Sequence, residues 1–131
     1  MTDEQLIEEL REATRGLLVM SESDYPLEVF NWGAAEPTPE FLRELTGEAA
    51  DAPVETRTAA DIFRVMVSEP GWKNAEQLSG ARRFQKLVRL LEQNLTGLKA
   101  YRVGLINIPV YVVGRSASGN WLGVSTRAVE T

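Results

Sequence analysis

The chain has 131 residues, 44% of them hydrophobic and 25% charged, with a net charge of −5. That size and composition fit a single globular domain over residues 1–131, hiding roughly two-thirds of its unfolded surface. There is no cysteine and no histidine, which excludes a disulfide framework, thiol nucleophiles, Ser-His triads, His general bases and most zinc sites.

Leu6, Ile7, Leu10, Ala13 and Leu17 recur at spacings of three and four, which predicts a helix over residues 3–15. Thr2 or Asp3 can cap it, and Gly16 suits its end. This start is acidic and amphipathic. It lacks the basic stretch and apolar core of a secretory signal, so the cytoplasm is the expected compartment. No apolar run approaches the roughly 18 residues of a membrane span.

The apolar run Leu17–Met20 leads into a polar, acidic turn, Ser21–Asp24. Tyr25 and Pro26 then enter a strand ending at Gly33, in which Leu27, Val29 and Asn31 point one way and Glu28, Phe30 and Trp32 the other. A turn carrying Glu22 and Asp24, braced from both sides, is a candidate binding element, although an ordinary solvated loop has the same composition.

Thr38-Pro39-Glu40 opens a short helix, with Thr38 as cap and Pro39 at its first position, and Gly47 stops it. Val54–Arg57 has the pattern of a short strand. Thr58-Ala59-Ala60-Asp61 resembles a capping box before an apolar helix through Val67. Glu69-Pro70-Gly71-Trp72 is a turn, and a Trp at its end serves either as a core plug, the commoner role, or as a displayed contact.

Residues 75–95 form the longest predicted helix. Leu78, Ala81, Phe84, Val88, Leu91 and Leu95 make its apolar stripe, and Arg82, Arg83, Lys86 and Arg89 its solvated face. The basic run lacks interleaved aromatics, so it is not a nucleic-acid site. Lys99–Val103, Ile106–Gly114 and Trp121–Val129 read as strands, with Ser116-Ala117-Ser118-Gly119 as a hairpin loop. Val110-Tyr111-Val112-Val113 is apolar on both faces, as in a central strand. Helices first and a meander last give an α+β protein.

Charge is unevenly spread. Residues 16–56 hold nine acids and one base, and residues 57–131 five acids and eleven bases. The acidic part repels nucleic acid and attracts basic partners. No Walker loop, dinucleotide fingerprint or EF-hand loop is present. Glu22 and Asp24 stand too close in sequence to flank a glycosidic bond readily. Glu22, Asp24 and Glu28 could meet a hard cation, but no calcium-loop signature surrounds them.

Several of these stretches also match a known family, in order and over nearly the whole chain. They are residues 16–30 (Gly-Leu-Leu-Val-Met-Ser-Glu-Ser-Asp-Tyr-Pro-Leu-Glu-Val-Phe), Asp51-Ala52-Pro53, Arg83–Leu87, Tyr101-Arg102-Val103-Gly104 and Gly119–Thr131. Together they resemble the nuclease A inhibitor family. The resemblance implies a non-enzymatic inhibitor of a metal-dependent, sugar-non-specific DNA/RNA endonuclease. The implied fold is a three-layer α-β-α sandwich similar to plant pathogenesis-related class 1 proteins.

By the same resemblance Glu22 meets arginines of the nuclease, and Thr131 reaches its catalytic magnesium, with Glu130 adding charge beside it. Asp24 and Trp72 belong to the same contact region. Gly71 stands where the family can have an acid. The inhibitor itself needs no cofactor, the only metal being the partner's magnesium. A monomer forming a 1:1 complex is expected, without direct nucleic-acid or membrane binding. Two other readings stay open: a module of the same fold recognising a different basic protein, and a carboxylate enzyme.

Overall fold

The computed structural model describes residues 2–16, 18–20, 24–47, 52–58, 75–104 and 107–129. The first helix, α1 (Asp3–Thr14), opens on a reciprocal cap. Thr2 Oγ1 accepts from the Gln5 amide at 3.2 Å, and Gln5 Oε1 accepts from the Thr2 amide at 2.9 Å. Such a cap contributes about 1 kcal/mol by satisfying amides that no helical carbonyl reaches. Asp3, the other candidate cap, instead accepts from Asn120 Nδ2 at 2.6 Å, which ties the start of α1 to a distant loop. Gly16, at φ +70°, turns the chain out of the helix.

Three strands follow: β1 (Leu18–Met20), β2 (Asp24–Pro26) and β3 (Glu28–Gly33). Helix α2 (Pro39–Thr46) has Thr38 as cap and left-handed Gly47 at its end, as the sequence pattern predicts. Strand β4 (Val54–Arg57) precedes the long helix α3 (Ala75–Asn94) and strands β5 (Thr96–Val103), β6 (Asn107–Arg115) and β7 (Trp121–Val129). The helix expected after Thr58 and the turn before Trp72 lie outside the described residues.

β3 to β7 form an antiparallel sheet in the order β3-β7-β6-β5-β4, and β1 and β2 make a separate two-stranded ribbon. The apolar β6 is therefore the central strand, as its composition predicts. β7 joins it to β3, so the last strand lies inside the sheet. The β6–β7 loop spans residues 116–120, one residue longer than expected. It closes on the hydrogen bond from the Ser116 amide to the Asn120 carbonyl, 2.8 Å. Two glycines are set by close approach. A side chain at Gly123 would collide with the Val112 carbonyl oxygen, and one at Gly114 would meet Leu95 Cβ at 2.8 Å. The first lets β6 and β7 pair, and the second lets the chain leave α3 against β6.

One face of the sheet is covered by α1 and α3. Leu6, Leu10, Phe84, Leu87 and Leu91 pack on Leu27, Val112, Leu122 and Val124 in one buried cluster. Burying each such leucine contributes about 1.5–3 kcal/mol. The opposite face carries aromatic side chains. Phe30 stacks on Trp32 at 4.3 Å, Trp32 meets Tyr111 at 5.4 Å, and Phe41 of α2 closes edge-on against Trp32 at 5.1 Å. Thus α2 lies on the side away from α1 and α3. The chain is α+β, with an open antiparallel sheet and helices.

Candidate functional site

The acidic turn is built into the β1–β2 ribbon. Leu18 lies opposite Pro26, Val19 opposite Tyr25 and Met20 opposite Asp24. These pairs bracket residues 21–23. Glu22 itself lies outside the described residues. Asp24 does not belong to the turn, as the sequence pattern suggests, but opens β2. The reason is local: a residue before proline is held extended, so Tyr25 draws its neighbour into the strand.

Among the described residues, contacts on both sides hold this ribbon. On the β2 side, Leu27 is buried in the core and hands the chain to β3. β2 itself approaches β7. On the β1 side, Arg83 Nη2 of α3 donates to the carbonyls of Ala13 and Arg15, at 3.2 and 2.5 Å. Those carbonyls belong to the end of α1, directly before the ribbon. The helical pattern assigns Arg83 to a solvated face. Its role as a clamp could not be read there, because it depends on how two helices cross.

The ends of two segments converge. β3 runs antiparallel to β7 with Glu28 opposite Ser125, and Val129 pairs with Asn107 at the end of the sheet. Going backward from Glu28 into β2 and forward from Ser125 to Val129 therefore leads to the same end of the molecule. Trp72, Glu130 and Thr131 lie outside the described residues. Of the expected contact residues, only Asp24 has a described backbone.

Around this end, Glu28 and Arg127 are exposed on the aromatic face. The Tyr111 phenol is pushed above its ordinary value, first by burial, with Glu28 adding to the shift and Arg127 opposing it. Among the described residues no three carboxylates are grouped to hold a metal ion. Glu28 is the only member of the Glu22, Asp24 and Glu28 set whose side chain is described. Among the described residues there is also no helix long and apolar enough to cross a membrane.

The family model of nuclease A inhibitor-like proteins (NuiA) matches residues 4–131. The chain belongs to this family. The match takes in α1, the acidic ribbon and every strand of the sheet. No curated protein matches the chain. Membership in the nuclease A inhibitor-like family points to a nuclease as the partner and to inhibition as the role.

Proposed function

We propose that this chain inhibits a metal-dependent, sugar-non-specific DNA/RNA endonuclease by covering its active site. The acidic ribbon enters that site with Glu22 against arginines, and Thr131 reaches the nuclease's magnesium. The observation that carries this reading is the convergence of β2 and β7 on one end of the sheet. Glu22 is two residues before Asp24, and Thr131 two residues after Val129. Both can then address one concave site on a partner.

The chemistry is consistent. A nuclease site is shaped for phosphate, and a carboxylate can stand in for one, since charge-assisted bonds to Arg are among the stronger ones. Magnesium prefers hard oxygen ligands and keeps several waters. The hydroxyl of Thr131 and its α-carboxylate, where that group is free, are such ligands. Asp24 braces the turn, and Trp72 and Glu130 border the contact. The excess of eight negative charges over residues 16–56 steers encounter with a basic cleft.

The same proposal takes the chain as one domain and a cytoplasmic monomer. It forms a 1:1 complex, has no cofactor or catalytic activity of its own, and does not itself bind nucleic acid. It also takes the layering to be the α-β-α sandwich similar to plant pathogenesis-related class 1 proteins. The support for that is the position of α1 and α3 on one face and α2 on the other.

The test is titration of a co-encoded, magnesium-dependent nuclease with the purified protein, on both DNA and RNA. Loss of both activities at one inhibitor per nuclease is expected. Undiminished cleavage under excess inhibitor, with capture of a different basic protein, would move the assignment to a binding module of the same fold.

A further inference from the structure

We propose that Arg83 is a positioning residue for the acidic ribbon. Its guanidinium, on α3, locks the point where the chain leaves α1 and so fixes the β1 leg on which Glu22 is carried. This rests on the inhibitory reading above for its functional part. The structural part stands by itself.

Among the described residues the ribbon has three paired positions. A two-stranded ribbon of that length has little stability of its own. Its position therefore comes from its two legs and from the approach of β2 to β7. The β2 leg continues into Leu27, which is buried among α1, α3 and the sheet. On the β1 side, the described residues leading toward the ribbon, Arg15 and Gly16, are both exposed. Gly16, at φ +70°, has open space where a side chain would stand. A glycine there permits the turn but does not enforce its direction.

Arg83 supplies a constraint at this point. One nitrogen reaches both the Ala13 and the Arg15 carbonyls. Both carbonyls lie at the C-terminal end of α1, where a cation is favourably placed. Inside the helix, Thr14 Oγ1 donates to the carbonyls of Leu10 and Arg11, at 2.8 and 3.3 Å, and the Arg15 amide donates to Glu12. The last turn of α1 is therefore closed on itself, and Arg83 alone among these contacts joins it to another element. Glu8, Glu9 and Glu12 line the α1 side of the groove in which Arg83 stands. The two bonds from its guanidinium nevertheless go to main-chain oxygens, which hold the path of the chain and not merely a side chain.

The experiment compares Arg83→Met, which keeps the aliphatic stem and removes the donors, with Arg83→Lys, which keeps charge but loses the fork. In the free protein, amide hydrogen exchange of β1 and β2 should rise about tenfold in Arg83→Met. Exchange in β6 should stay unchanged, and Arg83→Lys should fall between the Met variant and the parent. Against the nuclease, Arg83→Met should dissociate about tenfold faster with an unaltered association rate. Unchanged exchange in β1 and β2 overturns the clamp, and so does an equal rise in β6, which would mean general destabilisation. Unchanged dissociation despite a loosened ribbon overturns the positioning role. If Arg83→Met does not fold, the Lys variant carries the same comparison. If the parent protein inhibits no nuclease, the inhibitory reading falls, and the exchange measurement still decides the clamp.

Discussion

Met20 lies opposite Asp24, and this pairing leaves three residues, with Glu22 at their centre, to span the end of the ribbon. Glu22→Ala should weaken nuclease inhibition about tenfold or more. Truncating a charge buried against arginines costs about 2–5 kcal/mol. The thermal midpoint should not move. Asp24→Ala should cost less, since Asp24 sits within β2. A Glu22→Ala variant that inhibits as well as its parent would leave the ribbon without the proposed function.

The far end of β7 offers a separate check. A tag fused after Thr131 leaves no free α-carboxylate on that residue, while one fused before Met1 leaves residue 131 as it is. The C-terminally tagged protein should inhibit more weakly, and the N-terminally tagged one like the parent. Thr131→Ser, which keeps the hydroxyl, should be milder than deletion. Equal inhibition constants for the two tagged forms would remove Thr131 from the mechanism.

Salt should act on the association rate. Screening extends over about 8 Å at physiological ionic strength, so raising it weakens the pull of residues 16–56 on a basic cleft. Stopped-flow association at low and high salt should differ by about tenfold or more. Agreement between the two rates would argue against steering.

Two tyrosines make the fold sensitive to alkali. Burial is the first cause raising both Tyr101 and Tyr111 above 10.0, with Glu36 and Glu28 adding to it respectively, while Arg127 opposes the shift at Tyr111. The folded protein thus holds these protons more tightly than the unfolded chain. The stability they contribute is fully present below pH 10.0 and is lost as pH rises through the folded values. Urea midpoints should fall above about pH 10, and Tyr111→Phe should reduce the fall in part, leaving the share of Tyr101. A Tyr111→Phe profile identical to the parent's would refute this assignment.

Gly123→Ala should be among the most damaging small substitutions. The added carbon runs into the Val112 carbonyl oxygen, which belongs to the backbone and cannot swing aside. The strands must separate or shift, at a cost of about 1–3 kcal/mol or more. Urea denaturation should show a lower midpoint. An unchanged midpoint would mean that β6 and β7 tolerate a wider spacing than their pairing suggests.

What can be read from the amino acids alone follows the range of the interaction. Thr38 with Pro39, and Gly47, announce helix ends because capping involves residues within one turn, and at the first helix the same rule leaves Thr2 and Asp3 to choose between. The alternation of Val29, Phe30 and Asn31 announces β3 for the same reason. At Asp24 one local rule overrides another: acidity suggests a turn, but the following Tyr25-Pro26 imposes extension. Arg83 reaching Arg15, Trp32 meeting Phe41, and Asp3 meeting Asn120 have no signature in sequence spacing. Each depends on where the sheet brings distant segments together. For the candidate site, the acidic stretch is visible in the sequence, while the convergence of β2 with β7 requires the register of Glu28 on Ser125.

The placement of β7 between β3 and β6 has a consequence for biosynthesis. Until β7 has left the ribosome, β3 has no neighbour in this sheet, and β6 presents an open edge. Long-range pairing of that kind must wait for the chain to be made. An emerging polypeptide therefore cannot complete the sheet step by step behind its own synthesis. The β3–β7 and β6–β7 pairings can form only once β7 is available. A sheet of this strand order is complete only once β7 itself has been made.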